Sequence, residues 1–396
     1  MEEVVRILGA NWCPDCKRAK QFLADQRVPY KFIDVEQDEA AHTEVMERNG
    51  GKLIIPVVEF PDGSILIEPD NSEIAAALKL DITASKSLFD LLVIGAGPAG
   101  LTAAIYAARE GMDTLVLDKG ALGGQAGATE RVENYPGFPE GIGGGELASR
   151  YVEHARRYGV EMLSGVAVRG IVRDAEGLLA AETDQGATYR AKAVVVATGS
   201  TYRRLDVPGE EDLIGAGIHF CATCDGPFYR GAKDLVVVGG GNSGLEEGLF
   251  LAQFAEKITV LQDLPNLTAS SVLQERVLND PRFEVRTSAK VKKFIAGADG
   301  KLDAVEVETP DGTERIEADG AFIFIGLTPN SGFVEGSLDL GKAGFVSTSQ
   351  ALETSLPGVF AAGDVREGST KQIASAVGEG AAVALMVRAY LNSLEA

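Results

Sequence analysis

The chain has 396 residues, room for two or three domains with their own cores, and its 47 glycines point to many turns and nucleotide loops. A net charge of −21 argues against a nucleic-acid partner, which needs clustered Lys and Arg, and against docking on an anionic membrane. No apolar run reaches the roughly 20 residues of a membrane span. Met1-Glu2-Glu3 opens without a basic leader, and all four cysteines fall in two Cys-x-x-Cys pairs with none left for structural bridges, so the cytoplasm is the expected compartment.

Residues 1–80 read as a small redoxin. Val4 to Leu8 is a buried strand, and the chain turns at Gly9-Ala10-Asn11 into a helix from Pro14 to about Asp25. A strand over Tyr30 to Val35 and a helix from about Glu39 to Arg48 follow. Val57 to Phe60 and Ile65 to Glu68 form a hairpin across Pro61-Asp62-Gly63, and Ser72 is expected to cap a last helix. Cys13 and Cys16, in Trp12-Cys13-Pro14-Asp15-Cys16, stand where that first helix begins. Orphan amides and the dipole favour a thiolate there, and Lys17 and Lys20 add positive charge. This βαβαββα order with Cys-Pro-Asp-Cys resembles glutaredoxins. The resemblance implies that Cys13 attacks and Cys16 resolves, with Pro56 of Ile55-Pro56 at the family's cis-proline position beside the thiols; otherwise Pro56 is a strand-start proline. Trp12 would pack beside the dithiol.

Residues 81–87 (Asp-Ile-Thr-Ala-Ser-Lys-Ser) have the composition of a tether. Fully extended they would span about 25 Å, keeping two dithiols at a mutual concentration of order millimolar.

Leu88 to Ile94 is an apolar strand leading into Gly95-Ala96-Gly97-Pro98-Ala99-Gly100 and an apolar helix. Asp118 closes the next strand, Thr114 to Leu117. A GxGxxG between strand and helix, with an acid after the next strand, is a dinucleotide fingerprint: the glycines let the backbone approach a pyrophosphate at the helix N-terminus. From Leu88 onward the chain resembles low-molecular-weight thioredoxin reductases. The resemblance rests on Gly123-Gly124-Gln125, Glu133-Asn134-Tyr135-Pro136-Gly137, Ala197-Thr198-Gly199, Cys221-Ala222-Thr223-Cys224-Asp225 and Val359-Phe360-Ala361-Ala362-Gly363-Asp364. It implies FAD held by the first fingerprint, by Gly124, Gln125 and Asn134, by Ala197, Thr198 and Gly199, and by Gly363, Asp364, Gln372 and Ile373. Asp364 has a plainer reading as a helix cap. The implied fold is α/β: a thioredoxin/glutaredoxin fold, then an FAD domain (88–205 and 322–396) interrupted by a Rossmann-like nucleotide domain (208–320). The resemblance also implies a homodimer.

The inserted domain carries a second fingerprint, Gly239-Gly240-Gly241-Asn242-Ser243-Gly244, after the strand Leu235 to Val238 and before a helix with Glu246 and Glu247. The next strand, Ile258 to Leu261, ends at Gln262-Asp263-Leu264. The NADPH-using reductases have His-Arg-Arg there and a further Arg where this chain has Thr268, so every arginine for a 2′-phosphate is missing. An acid near that phosphate costs about 3 kcal/mol at ~5 Å and an effective dielectric of ~20. Asp263, or Gln262 beside it, suits the free ribose hydroxyls of NADH. The segment also resembles the flavoprotein subunit of alkyl hydroperoxide reductase, which lacks the same arginines and has an N-terminal redoxin region.

Cys221 and Cys224 lie within the inserted domain. By the resemblance, Cys224 is the flavin-side thiol, Cys221 attacks outward, and Asp225 is the general acid; otherwise Asp225 is an Asp-Gly turn residue. His219 reads as structural, and His42 and His154 as solvated. A zinc site would need both pairs around one ion, and Cys16 and Cys221 are 205 residues apart (221 − 16), so no metal is expected. The expected path is NADH, FAD, Cys221/Cys224, Cys13/Cys16, then an outside disulfide such as thioredoxin or a peroxiredoxin. The alternatives are the same chemistry with a donor such as ferredoxin, and a non-catalytic redox sensor.

Overall fold

The computed structural model describes residues 4–11, 13–80, 82–128, 131–132, 134–341 and 343–395. The redoxin sheet runs β2 (Tyr30–Asp34), β1 (Val5–Gly9), β3 (Val57–Glu59), β4 (Ile65–Ile67). The first pair is parallel and the rest antiparallel. Helices α1 (Pro14–Asp25) and α3 (Asn71–Ala77) bring Ala19, Phe22, Leu23 and Ile74 onto Val5, Ile7 and Val58. α2 (Glu39–Arg48) opens at Asp38, whose carboxylate accepts the Ala40 and Ala41 amides.

The cap of α3 is Asp70, not Ser72. Asp70 accepts the Glu73 amide and Glu73 accepts the Asp70 amide, both at 2.8 Å, while the Ser72 hydroxyl only donates to Asp70. Of the two candidates, Asp70 has a Glu three residues on, so it alone closes a reciprocal box worth about 1 kcal/mol.

Residues 82–87 are not a loose tether. Ile82 is buried, the Ala84 amide donates to the Tyr189 hydroxyl, and Ser85 donates through both its amide and its hydroxyl to Glu161. Lys86 pairs with Asp113, and the Ser87 carbonyl accepts the Arg190 amide. The redoxin's apolar residues run on through Ile82 into Phe89 and Leu92 of the following domain as one cluster. Along that seam Asn71 packs on Gly165, where a Cβ would fall 3.0 Å from its own, and Arg156 pairs with Asp25 at 3.1 Å.

β5 (Leu88–Ile94), α4 (Pro98–Arg109) and β6 (Thr114–Asp118) begin the larger sheet. β5 lies between β6 and the strand Thr188–Val196, with parallel ladders on both sides. A sheet covered on both faces needs continuous apolar strands, which Leu91-Leu92-Val93-Ile94 supplies. The last helix, Ile373–Glu395, lies on α4 through Ala376, Val383 and Val387. It corrects the sequence reading: over Ile373–Leu394 it is long and apolar enough to cross a membrane by length and composition. Its glycines and alanines fit it to α4, and a Cβ on Gly380 would strike the Ala99 carbonyl.

Two contact-dense units result. One comprises 1–131, 135–200 and 329–396, with the redoxin in it; the other comprises 132–134 and 201–328. The chain passes between them at 131/132, 134/135, 200/201 and 328/329. The second unit has five parallel strands in the order Ile218–His219, Gly320–Ile323, Ala232–Val238, Ala255–Leu261, Phe283–Arg286. An antiparallel sheet over 290–317 accompanies them.

Candidate active site

Cys13 stands immediately before α1, and its sulfur accepts the Cys16 amide at 3.1 Å. The hydrogen bond from the Cys16 side chain is the chief cause that holds the Cys13 thiol below its ordinary range, against the effect of burial. The same interaction, with burial, pushes Cys16 up. Both thiols are free and buried, the arrangement of an attacking thiolate with a protonated thiol behind it. Lys20 lies 3.9 Å over the Phe32 ring and its charge acts on Cys16; Lys17 is exposed. The Ile55–Pro56 peptide is cis, and the Ile55 carbonyl is 3.8 Å from the Cys13 sulfur. Gly9 was read only as a turn, but it also makes room: a Cβ there would fall 2.5 Å from the Cys16 sulfur. Trp12 lies outside the described residues.

The first glycine loop has the form a dinucleotide needs. Gly95 is at φ +106 with its missing Cβ against the Ala197 carbonyl, and a Cβ on Gly100 would strike the Gly95 carbonyl. Gly97 caps α4 with no side chain over its amides, and a Cβ there would meet open space. Asp118 accepts the Ala96 amide at 2.6 Å and the Gly120 amide at 2.7 Å, and burial pushes its pKa up. Gly95, Asp118 and Thr198 line a cavity of about 360 Å³ with Lys119, Asn330 and Phe333. Open helix amides, an acid at the ribose position and this cavity fit the adenosine and pyrophosphate of FAD.

Asn330 was missed by the sequence reading. Its amide donates to the Thr198 carbonyl at 2.8 Å, its carbonyl accepts the Thr198 hydroxyl at 2.6 Å, and its backbone N–H meets Gly199 at 3.0 Å. The signal available was the Pro329-Asn330 turn after an apolar strand.

Gly124 (φ +62) presses on Gly97, and Gln125 donates to the Ser200 carbonyl. Asn134 is grouped with the second unit. Asp364 is not a cap of the last helix. Its carboxylate accepts the Ser369 hydroxyl at 3.1 Å, its carbonyl accepts Lys371 Nζ at 2.7 Å, and burial raises its pKa. Glu379 accepts the Gly363 amide at 2.7 Å and pairs with Arg366, a brace the sequence reading also missed. Gln372 and Ile373 form the approach to the last helix, with the Gln372 carbonyl accepting the Ala376 amide.

In the second unit Gly239 is at φ +122 and Gly241 caps the helix Asn242–Leu251 without a side-chain bond. Gln262 is buried, and its amide oxygen accepts the Gly240 amide at 2.8 Å; Asp263 is exposed. Gln262 is therefore turned onto the loop, with its oxygen taken. Asn242 accepts the Ser270 amide, Ser243 and Glu246 are exposed, and burial raises the Glu247 pKa. Cys221 is in a disulfide, and the Cys224 side chain lies outside the described residues. Asp225 ends the one-turn helix Ala222–Asp225, its amide donating to the Cys221 carbonyl at 3.0 Å.

The profile of the pyridine nucleotide-disulphide oxidoreductases matches residues 89–380. The chain belongs to that family. The glutaredoxin profile matches residues 5–65, so this oxidoreductase carries a glutaredoxin domain as well. The thioredoxin reductase of Bacillus subtilis is 40 % identical over 312 residues, 78 % of this chain and 97 % of that protein. The "34.2 kDa protein in rubredoxin operon" of Clostridium pasteurianum is 40 % identical over 305 residues, covering 76 % and 97 %. The crystal structure of the Streptococcus pyogenes thioredoxin reductase is 39 % identical with a TM-score of 0.73, covering 78 % of this chain and 100 % of that one. This oxidoreductase is a thioredoxin reductase-like flavoprotein disulfide reductase with a fused glutaredoxin domain; its family implies FAD and a pyridine nucleotide.

Proposed function

We propose that this oxidoreductase draws on NADH and delivers through its own redoxin. Electrons would pass by way of FAD to Cys221/Cys224, then to Cys13/Cys16, then to an external disulfide of the thioredoxin or peroxiredoxin kind. The carrying observation is the Cys13–Cys16 pair: a depressed thiol at a helix start with a raised, buried thiol behind it is built to attack a disulfide and then release it. Bound FAD supplies the exchange between two-electron hydride chemistry and sulfur. The chain's own residues do the rest. The Gly95–Gly100 loop and the start of α4 would bind the pyrophosphate, and Asp118 the ribose. Asn330 keeps Thr198 and Gly199 in place, and the Ile55 carbonyl flanks the attacking sulfur. Class-average potentials of about −270 mV for thioredoxin and −200 to −230 mV for glutaredoxins make transfer toward the redoxin favourable by about 2.5 kcal/mol.

The NADH preference rests on Gln262-Asp263-Leu264 and Thr268, which bring no positive charge to a 2′-phosphate. A second reading replaces the nucleotide with a donor such as ferredoxin. It is favoured by the packing of Leu267 and Thr268 onto Gly240 and Gly241. An anaerobic titration separates the two: NADH is expected to bleach the flavin within seconds and NADPH about a hundredfold more slowly. Bleaching by neither nucleotide would favour the second reading, and equal rates would remove the NADH preference. Cys13→Ser should abolish turnover of external disulfides and leave flavin reduction by NADH intact; surviving turnover would sink the internal relay. A homodimer and a cytoplasmic location belong to the same proposal, and sedimentation of the FAD-loaded protein checks the first.

A further inference from the structure

His219 stands two residues before Cys221, and nothing in the electron path above uses it. Both ring nitrogens have partners: Nε2 is 2.8 Å from the Tyr229 hydroxyl, and Nδ1 is 3.5 Å from Asp225 Oδ2. The ring is largely enclosed, with its centre 5.2 Å from that of Phe322 and 5.4 Å from that of Tyr229. Tyr229 is fixed in turn, because the bare Cα of Gly320 leaves its phenol just enough room. Burial and the carboxylates of Asp225 and Asp319 push the Tyr229 pKa up, so the phenol keeps its proton. A phenol donating to Nε2 places the imidazole's own proton on Nδ1, the nitrogen on the Asp225 side. His219 thus has one nitrogen on a buried phenol and the other facing the acid beside the dithiol.

We propose that His219 is a positioning residue that orients Asp225 through its Nδ1–H while the Cys221/Cys224 couple reduces a disulfide, Tyr229 setting its tautomer. The inference rests on the reading of that couple as an exchanging dithiol with Asp225 as its acid. Cys221 forms a bond to one sulfur of the acceptor, and the acceptor's own S–S bond breaks. The proton Cys221 gave up is held on the Asp225 carboxyl, which the His219 Nδ1–H keeps oriented, and passes from it to the departing thiolate. Cys224 then bonds to Cys221, the mixed disulfide breaks, and the Cys224 proton reaches the second thiolate by the same route. Two electrons and two protons leave the cysteine pair and appear in two acceptor thiols, so no further reactant is required.

The leaving group tests this. Full-length, FAD-loaded protein carrying Cys13→Ser and Cys16→Ser, which leaves Cys221/Cys224 as its sole dithiol, is reduced with a phosphine, desalted without oxygen and mixed with one of two disulfides. Bis(2-hydroxyethyl) disulfide releases a basic thiolate that needs a proton; 5,5′-dithiobis(2-nitrobenzoate) releases a weakly basic one that does not. Adding His219→Gln should slow the alkyl exchange roughly 10- to 100-fold, at or below the low end for a direct general acid. The aromatic exchange should stay within about twofold. Equal losses with both disulfides, or a loss with neither, would overturn the role of His219. Exchange with neither disulfide before His219 is changed would instead overturn the dithiol reading itself. If His219→Gln fails to retain the flavin, Tyr229→Phe takes its place: a selective loss with the alkyl disulfide supports the proposal, and its absence overturns it.

Discussion

The two glycine loops share one backbone and differ in what faces it. Gly95 and Gly239 both have positive φ and both press on a neighbouring strand's end, at the carbonyls of Ala197 and Phe324. A Cβ on Gly100 or Gly244 would strike the first glycine of its own loop. The difference begins at the next strand's end. Asp118 accepts the Ala96 amide in the first loop, and Gln262 accepts the Gly240 amide in the second. The same tether is an acid in one loop and a neutral amide in the other. The loops also differ above the helix start. Gly97 faces open space, whereas Thr268 Oγ1 lies 3.5 Å from where a Gly241 Cβ would be, and the Thr268 and Ala269 amides hold the Gly240 carbonyl. Backbone shape therefore establishes that a dinucleotide fits; the residues around the loop decide which one.

The largest expected effect breaks the shared backbone. Gly100→Ala should give colourless protein, whereas Gly244→Ala should keep the flavin and lose its reduction by NADH. An absorbance spectrum and an anaerobic mix with NADH separate the two, and a Gly244→Ala protein reduced at the parent rate would refute the equivalence of the loops. Next in size is a change of charge around the second loop. Asp263→Arg with Leu264→Arg should raise the kcat/KM ratio for NADPH over NADH by about a hundredfold, read from steady-state rates.

Smaller still is the tether itself. In Asp118→Asn one of the two backbone amides loses its acceptor, which should weaken FAD binding by about 1–3 kcal/mol, measured by flavin release during titration. Gln262→Glu retains an acceptor for Gly240 but sets a carboxylate oxygen near the Asn266 carbonyl, which Gln262 Nε2 approaches at 3.4 Å. Its expected cost is only about 1 kcal/mol, seen as a small fall in melting temperature with the flavin spectrum unchanged.

Short-range features were legible in the sequence. Strand, glycine loop, helix and closing acid follow one another within about thirty residues, and the Cys13–Cys16 geometry lies in a single turn, so local chemistry determines both. What was not legible comes from far along the chain. Asn330 grips Thr198 across 132 residues, and Glu379 reaches back to Gly363 from the last helix. Residues 82–87 looked like a tether because polar residues in a row read as solvated; their partners are Tyr189, Glu161 and Asp113, none of them adjacent in sequence. Gln262 reads as a ribose ligand by position, and only its side-chain direction shows that its oxygen is taken. The apolar last helix was missed because Glu379 and Arg388 interrupt its runs.

The join between the redoxin and its neighbour bears on how the protein can be dissected. Asn71 Nδ2, Ser164 Oγ and Asp25 Oδ2 are shut away there without a hydrogen bond. Buried and unmatched, each such atom costs about 1–3 kcal/mol, set against an apolar cluster that crosses the boundary without interruption. Cutting at residue 80 would return those polar atoms to water and strip the cover from a greasy flank. Freed redoxin would be better hydrated where the join is now frustrated and stickier beside it, so its behaviour in isolation is a poor proxy for the same fold in place.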